Sequence, residues 1–549
     1  MDSFEKQVIV SDGHLQVAVT QGGSPADHDP ARCLPGGLRL AALGVSALAV
    51  IVASLGAVLA EEPKREGQES SATQAQAADE SWEVLYLGGS RAGYGRSTSR
   101  WVKRDGQKQL VSEEEVFMTI KRFGQELKIQ RLLRTEETEY GRLIRFVFVM
   151  KNPPATTTRS VGTLRRRIDG SYELEVETTV GGRRSRSTLR WENDARSPAY
   201  QDRLLEQNPL KPGDKRSFKT FVPELLKFTD VKLVAYDYRP VKLLDGQTRR
   251  ALKVRVTQSI LPTVATDMYL DEQGETLKTE TDLLGMKMIS YTVPKEVALE
   301  KIAGAELDLA LDTLVRVAPI REPDRARQIV YRIRIPEDDP ARYLLEGPTQ
   351  HVVRVAPDTV ELTVRRLPVP SRARIGRIDR EYTSETQYLQ LSDPRVQEHA
   401  RRAAGNVTDP GLIALRMEKY VHEKLTNKNF STMMASAAEV AEKLEGDCTE
   451  HAVLLAALLR VKRIPSRVAV GLVYVESLQA FGGHMWTEAY LNGQWVPLDA
   501  TLGKGGTGPT HIKLAVSSLA DEAPSPVNAF LPLMNVLGKI QIEVVKVEP

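Results

Sequence analysis

A chain of 549 residues exceeds what one hydrophobic core usually organises and predicts about three domains. Its 75 basic and 72 acidic residues nearly cancel, which excludes the concentrated basic excess that nucleic-acid binding needs to neutralise phosphates. Its two cysteines, Cys33 and Cys448, offer no disulfide framework; they flank an apolar segment, so Cys448 is expected to be a free thiol.

Residues 1–38 form a polar N-terminal segment. The stretch LAALGVSALAVIVASLGAVLA, Leu40 to Ala60, then carries no charge. As a helix it would rise about 32 Å, the thickness of a bilayer's hydrocarbon core. A transmembrane helix over 39–60 is therefore expected, with a signal sequence cleaved after Ala60 as the alternative. Under both readings the large C-terminal part is placed outside the cytoplasm. Residues 61–80, polar and without apolar periodicity, are expected to be a flexible linker.

Alternation begins at Trp82. In YELEVETTV, Tyr172, Leu174, Val176 and Val180 oppose Glu173, Glu175 and Glu177; in ALKVRVTQSI, Leu252, Val254 and Val256 oppose Lys253 and Arg255. A period of two marks half-buried strands, so 81–300 is expected to be an antiparallel β domain, a curled sheet or barrel. QIVYRIRIP and TVELTVRRLPVP mark a second β-rich domain over 301–392, whose end at Leu367–Pro370 suggests a sheet edge or boundary. LGGSRAGYG (Leu87–Gly95) lacks the Lys-Ser/Thr ending of a phosphate loop and is expected to be a turn or bulge. The clusters Arg165-Arg166-Arg167 and Arg183-Arg184 fit a solvated sheet face.

Helical patterns appear only after Asp393-Pro394. Apolar spacing predicts a helix over Gly411–Leu425 and another over roughly Thr432–Leu444. Then comes GDCTEHAVLLAALLR (Gly446–Arg460). Gly446-Asp447 is a helix-start signal and Ala452–Leu459 is wholly apolar, which places Cys448 in the first turn of a buried helix. Free N–H groups and the helix dipole favour an anion there, as a nucleophilic thiolate requires. A small residue that merely packs well is the plainer alternative.

GGHMWTEAYLNGQWVPLDATLG (Gly482–Gly503) reads as a hairpin, with Asn492-Gly493 as a two-residue type I′ turn. That turn pairs Leu491 with Gln494 and puts His484, Trp486, Glu488 and Tyr490 on one face with Trp495, Pro497, Asp499 and Thr501. His484 and Asp499 become diagonal neighbours, within side-chain reach. An imidazole can accept a thiol proton, and a carboxylate can orient and stabilise that imidazole.

Gly446-Asp447-Cys448-Thr449-Glu450-His451-Ala452, Arg460, Ile464-Pro465-Ser466-Arg467, His484-Met485-Trp486-Thr487-Glu488 and Trp495-Val496-Pro497-Leu498-Asp499-Ala500-Thr501 together resemble the core of the transglutaminase-like superfamily. The resemblance covers about 410–515. It implies a papain-like α+β domain at 393–549, with Cys448 as nucleophile, His484 as base then acid, and Asp499 as orienter. It further implies attack on a carboxamide or peptide carbonyl of a protein or peptide substrate, through a thioester. Transamidation or hydrolysis would follow, with no cofactor and no metal. The rival expectation is an inactive scaffold whose β domains bind a partner. His451, one turn from Cys448, is given a supporting role rather than that of base or metal ligand. Glu488 is expected to rim the cleft or pair with Arg, and Gly503–Gly508 to be a mobile loop beside it. Neither the oxyanion-hole side chain nor the oligomeric state is legible, although the Cys448 N–H is a natural oxyanion donor.

Overall fold

The structure is a computed structural model that describes residues 79–104, 106–151, 157–301, 308–430, 434–521 and 526–549. The N-terminal segment, the expected span at 39–60 and almost all of the linker lie outside those residues. Among the described residues, no helix is long and apolar enough to cross a membrane. The first strand already begins at Asp79, two residues inside the expected linker.

Fifteen strands form one sheet. From the middle strand, Asp79–Leu87, seven strands step outward in chain order to Arg183–Arg190. The chain then crosses to the opposite edge, Ala195–Arg196, and seven strands return in order to Met286–Val293, which pairs with Asp79–Leu87. Neighbours are antiparallel except where Ala195–Arg196 meets Lys215–Val222. Laid flat, such a sheet would be about 65–70 Å wide. Yet its two edge strands are joined by Trp191–Asp194 alone, a stretch that spans about 18 Å at most. The sheet must therefore curl until its edges approach. Trp191, in that crossing, packs on Phe221 and Phe228 with ring centroids 5.6 and 5.2 Å apart, and Phe146 adds a further ring at 5.6 Å from Phe221. The expected curled β domain is thus a sheet with two distinct edges, not a hydrogen-bonded closed barrel.

Gly88-Gly89 turn the chain between Asp79–Leu87 and Ser90–Arg104, both with positive φ, as the Gly-rich stretch suggested. Arg165 and Arg184 face Glu175 and Glu177 at 3.6 Å on the solvated sheet surface.

The second β-rich stretch is not self-contained. Gln350–Ala356, Thr359–Arg365 and Gln328–Arg334 form a four-stranded sheet only with Gln541–Glu548, from the far end of the chain. Val315–Arg316 pairs instead with Ala480–Leu491, in the C-terminal sheet. Alternation reveals strands but not their partners, which is why a separate domain was expected here.

The C-terminal α+β part opens at helix Pro394–Ala404, capped by Asp393, followed by Pro410–Lys424, capped by Asp409. Proline occupies the first turn of both, where its missing N–H costs nothing. The next helix is shorter than expected, Ala437–Lys443, because the Ser436–Glu439 capping box starts it late. Helix Cys448–Val461 follows, its side chains buried from Thr449 to Arg460. The Arg460 guanidinium donates to the carbonyls of Ser384, Ser466 and Ser518 at 2.6–2.8 Å, which satisfies its buried charge. Ala480–Leu491 is flanked by Ser466–Val475 and Gln494–Leu498, and His511–Ser517 lies beyond Ser466–Val475. Thr487 Oγ1 donates to Ala452 O at 2.9 Å, fixing that sheet to the Cys448 helix.

Candidate active site

Cys448 is a free, partly exposed cysteine at the first position of its helix. Asp447 caps that helix, its Oδ1 accepting from Thr449 N at 2.8 Å, and Glu450 reaches back to accept from Asp447 N at 3.0 Å. This reciprocal cap is the capping box written in Asp447-Cys448-Thr449-Glu450. Gly446 enters it with φ +144, and a Cβ there would stand 2.4 Å from the Glu450 side chain. Only glycine fits that approach.

The hairpin has the register that Asn492-Gly493 predicts: Leu491 opposes Gln494 and Glu488 opposes Pro497, with positive φ at both turn residues. The ladder ends at Leu498, and the next residue carries the carboxylate. His484 Nε2 donates to Asp499 Oδ2 at 2.8 Å. Trp486 stacks beside the His484 ring at 6.2 Å between centroids. Burial would push this imidazole down, but the Asp499 carboxylate and the nearby Cys448 sulfur outweigh burial and hold it at about 10. Because Nε2 is engaged by Asp499, Nδ1 is the ring nitrogen left for the sulfur. Burial likewise disfavours charge on Asp499, yet His484 and then His511 hold its carboxyl well below the ordinary range. The structure thus brings Cys448, His484 and Asp499 together, with the imidazole charged and the carboxylate ionised.

Three further groups were not foreseen. His511, first in its strand, donates through Nε2 to the same Asp499 Oδ2 at 3.0 Å, and burial holds its own pKa down. Glu418, buried on helix Pro410–Lys424, accepts from Asp499 N at 2.9 Å and from Gly506 N at 2.9 Å. Burial raises it to about 7, against the pull of those two N–H groups. That contact corrects one expectation: Gly503–Gly508 is anchored, since Gly503 N also donates to Asp499 O at 2.8 Å. Lys428, half-buried, donates to His451 Nε2 at 3.0 Å and lies in the electrostatic field of Cys448, Asp499 and Asp447. A histidine opening an alternating run, HIKLAVS, was the available signal for the first of these.

Both ring nitrogens of His451 are engaged by groups other than Cys448. Its Nδ1 donates to Asp447 O at 2.6 Å and its Nε2 accepts from Lys428, a neutral tautomer that agrees with burial and then the Lys428 charge pushing its pKa down to about 4. Glu488 is fully buried and bridges Arg467 and Lys513 at 2.7 Å each, so it pairs rather than rims. The ligand atoms of His484, Asp499 and His511 lie within 4.8 Å of one another, a spacing open to a divalent cation. Those atoms are already satisfied by one another's hydrogen bonds.

Residues 397–500 match the transglutaminase-like superfamily, so the C-terminal part of the chain carries a transglutaminase-like domain. The matched segment contains Cys448, His484 and Asp499 and stops before His511. Among solved structures, a candidate cysteine protease from Cytophaga hutchinsonii is similar at 15% identity and TM-score 0.26, covering 40% of this chain and 86% of that one. A β-barrel-like protein of a domain of unknown function (DUF1849) from Brucella abortus is similar at 13% identity and TM-score 0.28, over 39% of this chain and 95% of that one. A candidate protease from Parabacteroides distasonis is similar at 14% identity and TM-score 0.17, over 63% and 69%. No curated protein matches the chain significantly.

Proposed function

We propose that this chain is a cysteine enzyme of transglutaminase-like fold that attacks a carboxamide or peptide carbonyl of a protein or peptide substrate. The observation that carries the proposal is the His484–Asp499 hydrogen bond of 2.8 Å, on a ring that also meets Cys448 at a helix N-terminus. The Cys448 thiolate adds to the carbonyl carbon, and the oxygen takes the charge. Cys448 N–H, for which no acceptor stands among the described residues, is a backbone donor next to the sulfur and available to that oxygen. His484, charged at rest, gives its proton to the departing ammonia or amine as the C–N bond breaks, leaving a thioester. Water or a second amine then attacks, His484 takes its proton, and the thiolate leaves. Asp499 keeps Nε2 protonated, so that Nδ1 exchanges the proton at the sulfur.

Residues 39–60 would tether the enzyme to a membrane, with the domain outside the cytoplasm. Carbonate extraction tests this: the full chain should stay with the membrane fraction and a chain starting at residue 61 should not. Labelling with a tagged amine and a glutamine peptide, in wild type and Cys448→Ala, tests the chemistry. Amine incorporation lost in the variant supports transamidation, and deamidation or peptide cleavage lost in the variant supports hydrolysis. Equal outcomes in both proteins would leave the scaffold reading standing.

A further inference from the structure

The strands Gln107–Arg122 and Gln125–Thr138 of the large sheet are joined by the two-residue turn Phe123-Gly124, with φ of +47 and +77. Phenylalanine rarely adopts a positive φ, and it is held here by its surroundings. Asp308 accepts from both turn N–H groups, at 2.9 and 2.6 Å. The Phe123 ring packs on Phe430, 4.7 Å between centroids. Gln125 brackets the same backbone, donating to Lys428 O at 3.3 Å and accepting from Phe430 N at 2.7 Å. Beside them, Arg122 donates to Asp447 Oδ2 at 2.8 Å, a buried ion pair between residues 325 apart in sequence. The tip of one β hairpin therefore touches both the cap of the Cys448 helix and the backbone that carries Lys428.

That contact bears on reactivity. A helix N-terminus favours one anion, and this helix offers two: the cap carboxylate and the sulfur next to it. Left alone, the Asp447 charge would oppose a thiolate on Cys448. Burial would push Asp447 toward its protonated form, but Arg122, then the Thr449 N–H and the Glu450 and Thr449 side chains, favour the carboxylate; without Arg122 those three donors still hold it ionised, now with no cation against it. The other charged or titratable groups that act on Asp447 are Glu450 and His451 on its own helix and Lys428 on the loop before it.

We infer that Arg122 is a positioning residue of the candidate active site: it neutralises the cap carboxylate, so the upstream β sheet is a working part of the cysteine centre. This rests on the function proposed above. It gives the hairpin a task that a spacer holding the domain off a membrane would not have.

The test uses the full chain and reads the rate of Cys448 alkylation by iodoacetamide from pH 5 to 10, with mass spectrometry to localise the adduct and thermal melts to establish folding. Arg122→Met should slow alkylation at pH 7 by about tenfold and move the profile to higher pH, the consequence of one unopposed charge next to the thiolate. Arg122→Lys should retain most of the wild-type profile. Arg122→Met/Asp447→Asn should move back toward wild type, because asparagine still caps the helix without a charge. A folded Arg122→Met with the wild-type profile would overturn the inference. If Arg122→Met does not fold, the double variant is compared with Asp447→Asn alone. A difference of less than about twofold supports action through Asp447, and a tenfold difference overturns it. A wild-type thiol no more reactive than a free cysteine would instead overturn the proposed function itself.

Discussion

Replacing Asp499 by asparagine tests the electrostatics of the site with almost no change of volume. Against burial, the carboxylate is the largest influence holding the buried His484 imidazole at about 10, above its ordinary 6.5, with the Cys448 sulfur second. Without that charge, burial dominates and the ring becomes neutral at physiological pH. The tautomer changes as well: the amide NH₂ turned toward Nε2 needs an acceptor there, which moves the ring proton to Nδ1, facing the sulfur. Cys448 then loses its imidazolium partner; an ordinary thiol, with a reference value of about 8.5, is about 3% thiolate at pH 7. Alkylation at Cys448 should slow about thirtyfold at pH 7 and rise steeply through pH 8–9, whereas the wild-type rate should stay flat from pH 6 to 9. Stability offers a second readout. A histidine whose pKa is raised on folding stabilises fully below its unfolded value and loses that contribution as pH rises through about 10. The wild-type melting temperature should therefore fall between pH 7 and 10 by a margin that Asp499→Asn lacks. Superimposable alkylation profiles for the two proteins would refute the reasoning.

His511→Phe keeps an aromatic ring but removes one of the two imidazole donors on Asp499 Oδ2. The loss of one hydrogen bond to a charged group, about 1.5 kcal/mol, should cost about tenfold in the neutral-pH alkylation rate, less than Asp499→Asn costs. An unchanged rate would remove His511 from the site. Gly446→Ala forces a Cβ to 2.4 Å from Glu450 at a φ of +144, and should destabilise the fold by about 2–4 kcal/mol in urea titrations. A change within 0.5 kcal/mol (about the scatter for surface substitutions) would show that the capping box relaxes freely.

Local rules made part of this site legible. Asn492-Gly493 admits one tight turn, that turn sets the register, and the register puts His484 and Asp499 on one face. Gly446-Asp447 reads as a helix start, which located Cys448 in the first turn, and the structure adds the Glu450 half of the capping box. His511 was not legible in the same way. It arrives from a strand two places away from His484, across Ser466–Val475, and that pairing contains a register shift between Val470 and Gly471. No local pattern specifies such an order. Glu418 was hidden by its helix, where a charged residue in an amphipathic pattern reads as solvent-facing although it is 1% exposed. The pairing of Gln328–Arg334 with Gln541–Glu548 and the reach of Arg122 to Asp447 span more than two hundred and three hundred residues respectively. Contacts of that range come from topology alone.

The unforeseen groups have a common electrostatic sense. Around Cys448 the ionised groups alternate in sign: Asp499 carries a negative charge beside the positive His484, and Asp447 carries one beside Arg122. The thiolate of the proposed resting pair would be the third anion, with Lys428 as the third cation near it. Two histidines in direct contact with these charges stay neutral, His451 because burial and Lys428 disfavour its cation, His511 because burial outweighs Asp499. Each passes a hydrogen bond onward without adding charge. Glu450, raised to about 8 by burial and then by Asp447, is also neutral at pH 7. The proposed thiolate would complete a locally balanced set in which no anion is left without a cation. On the proposed function, this accounts for a buried arginine from a distant sheet at the cap: the Asp447 carboxylate that starts the helix would otherwise be the one uncompensated charge beside Cys448. The helix start and the Cys448 sulfur share one electrostatic setting, to which Arg122 of the large sheet and His484 and Asp499 of the C-terminal part both contribute.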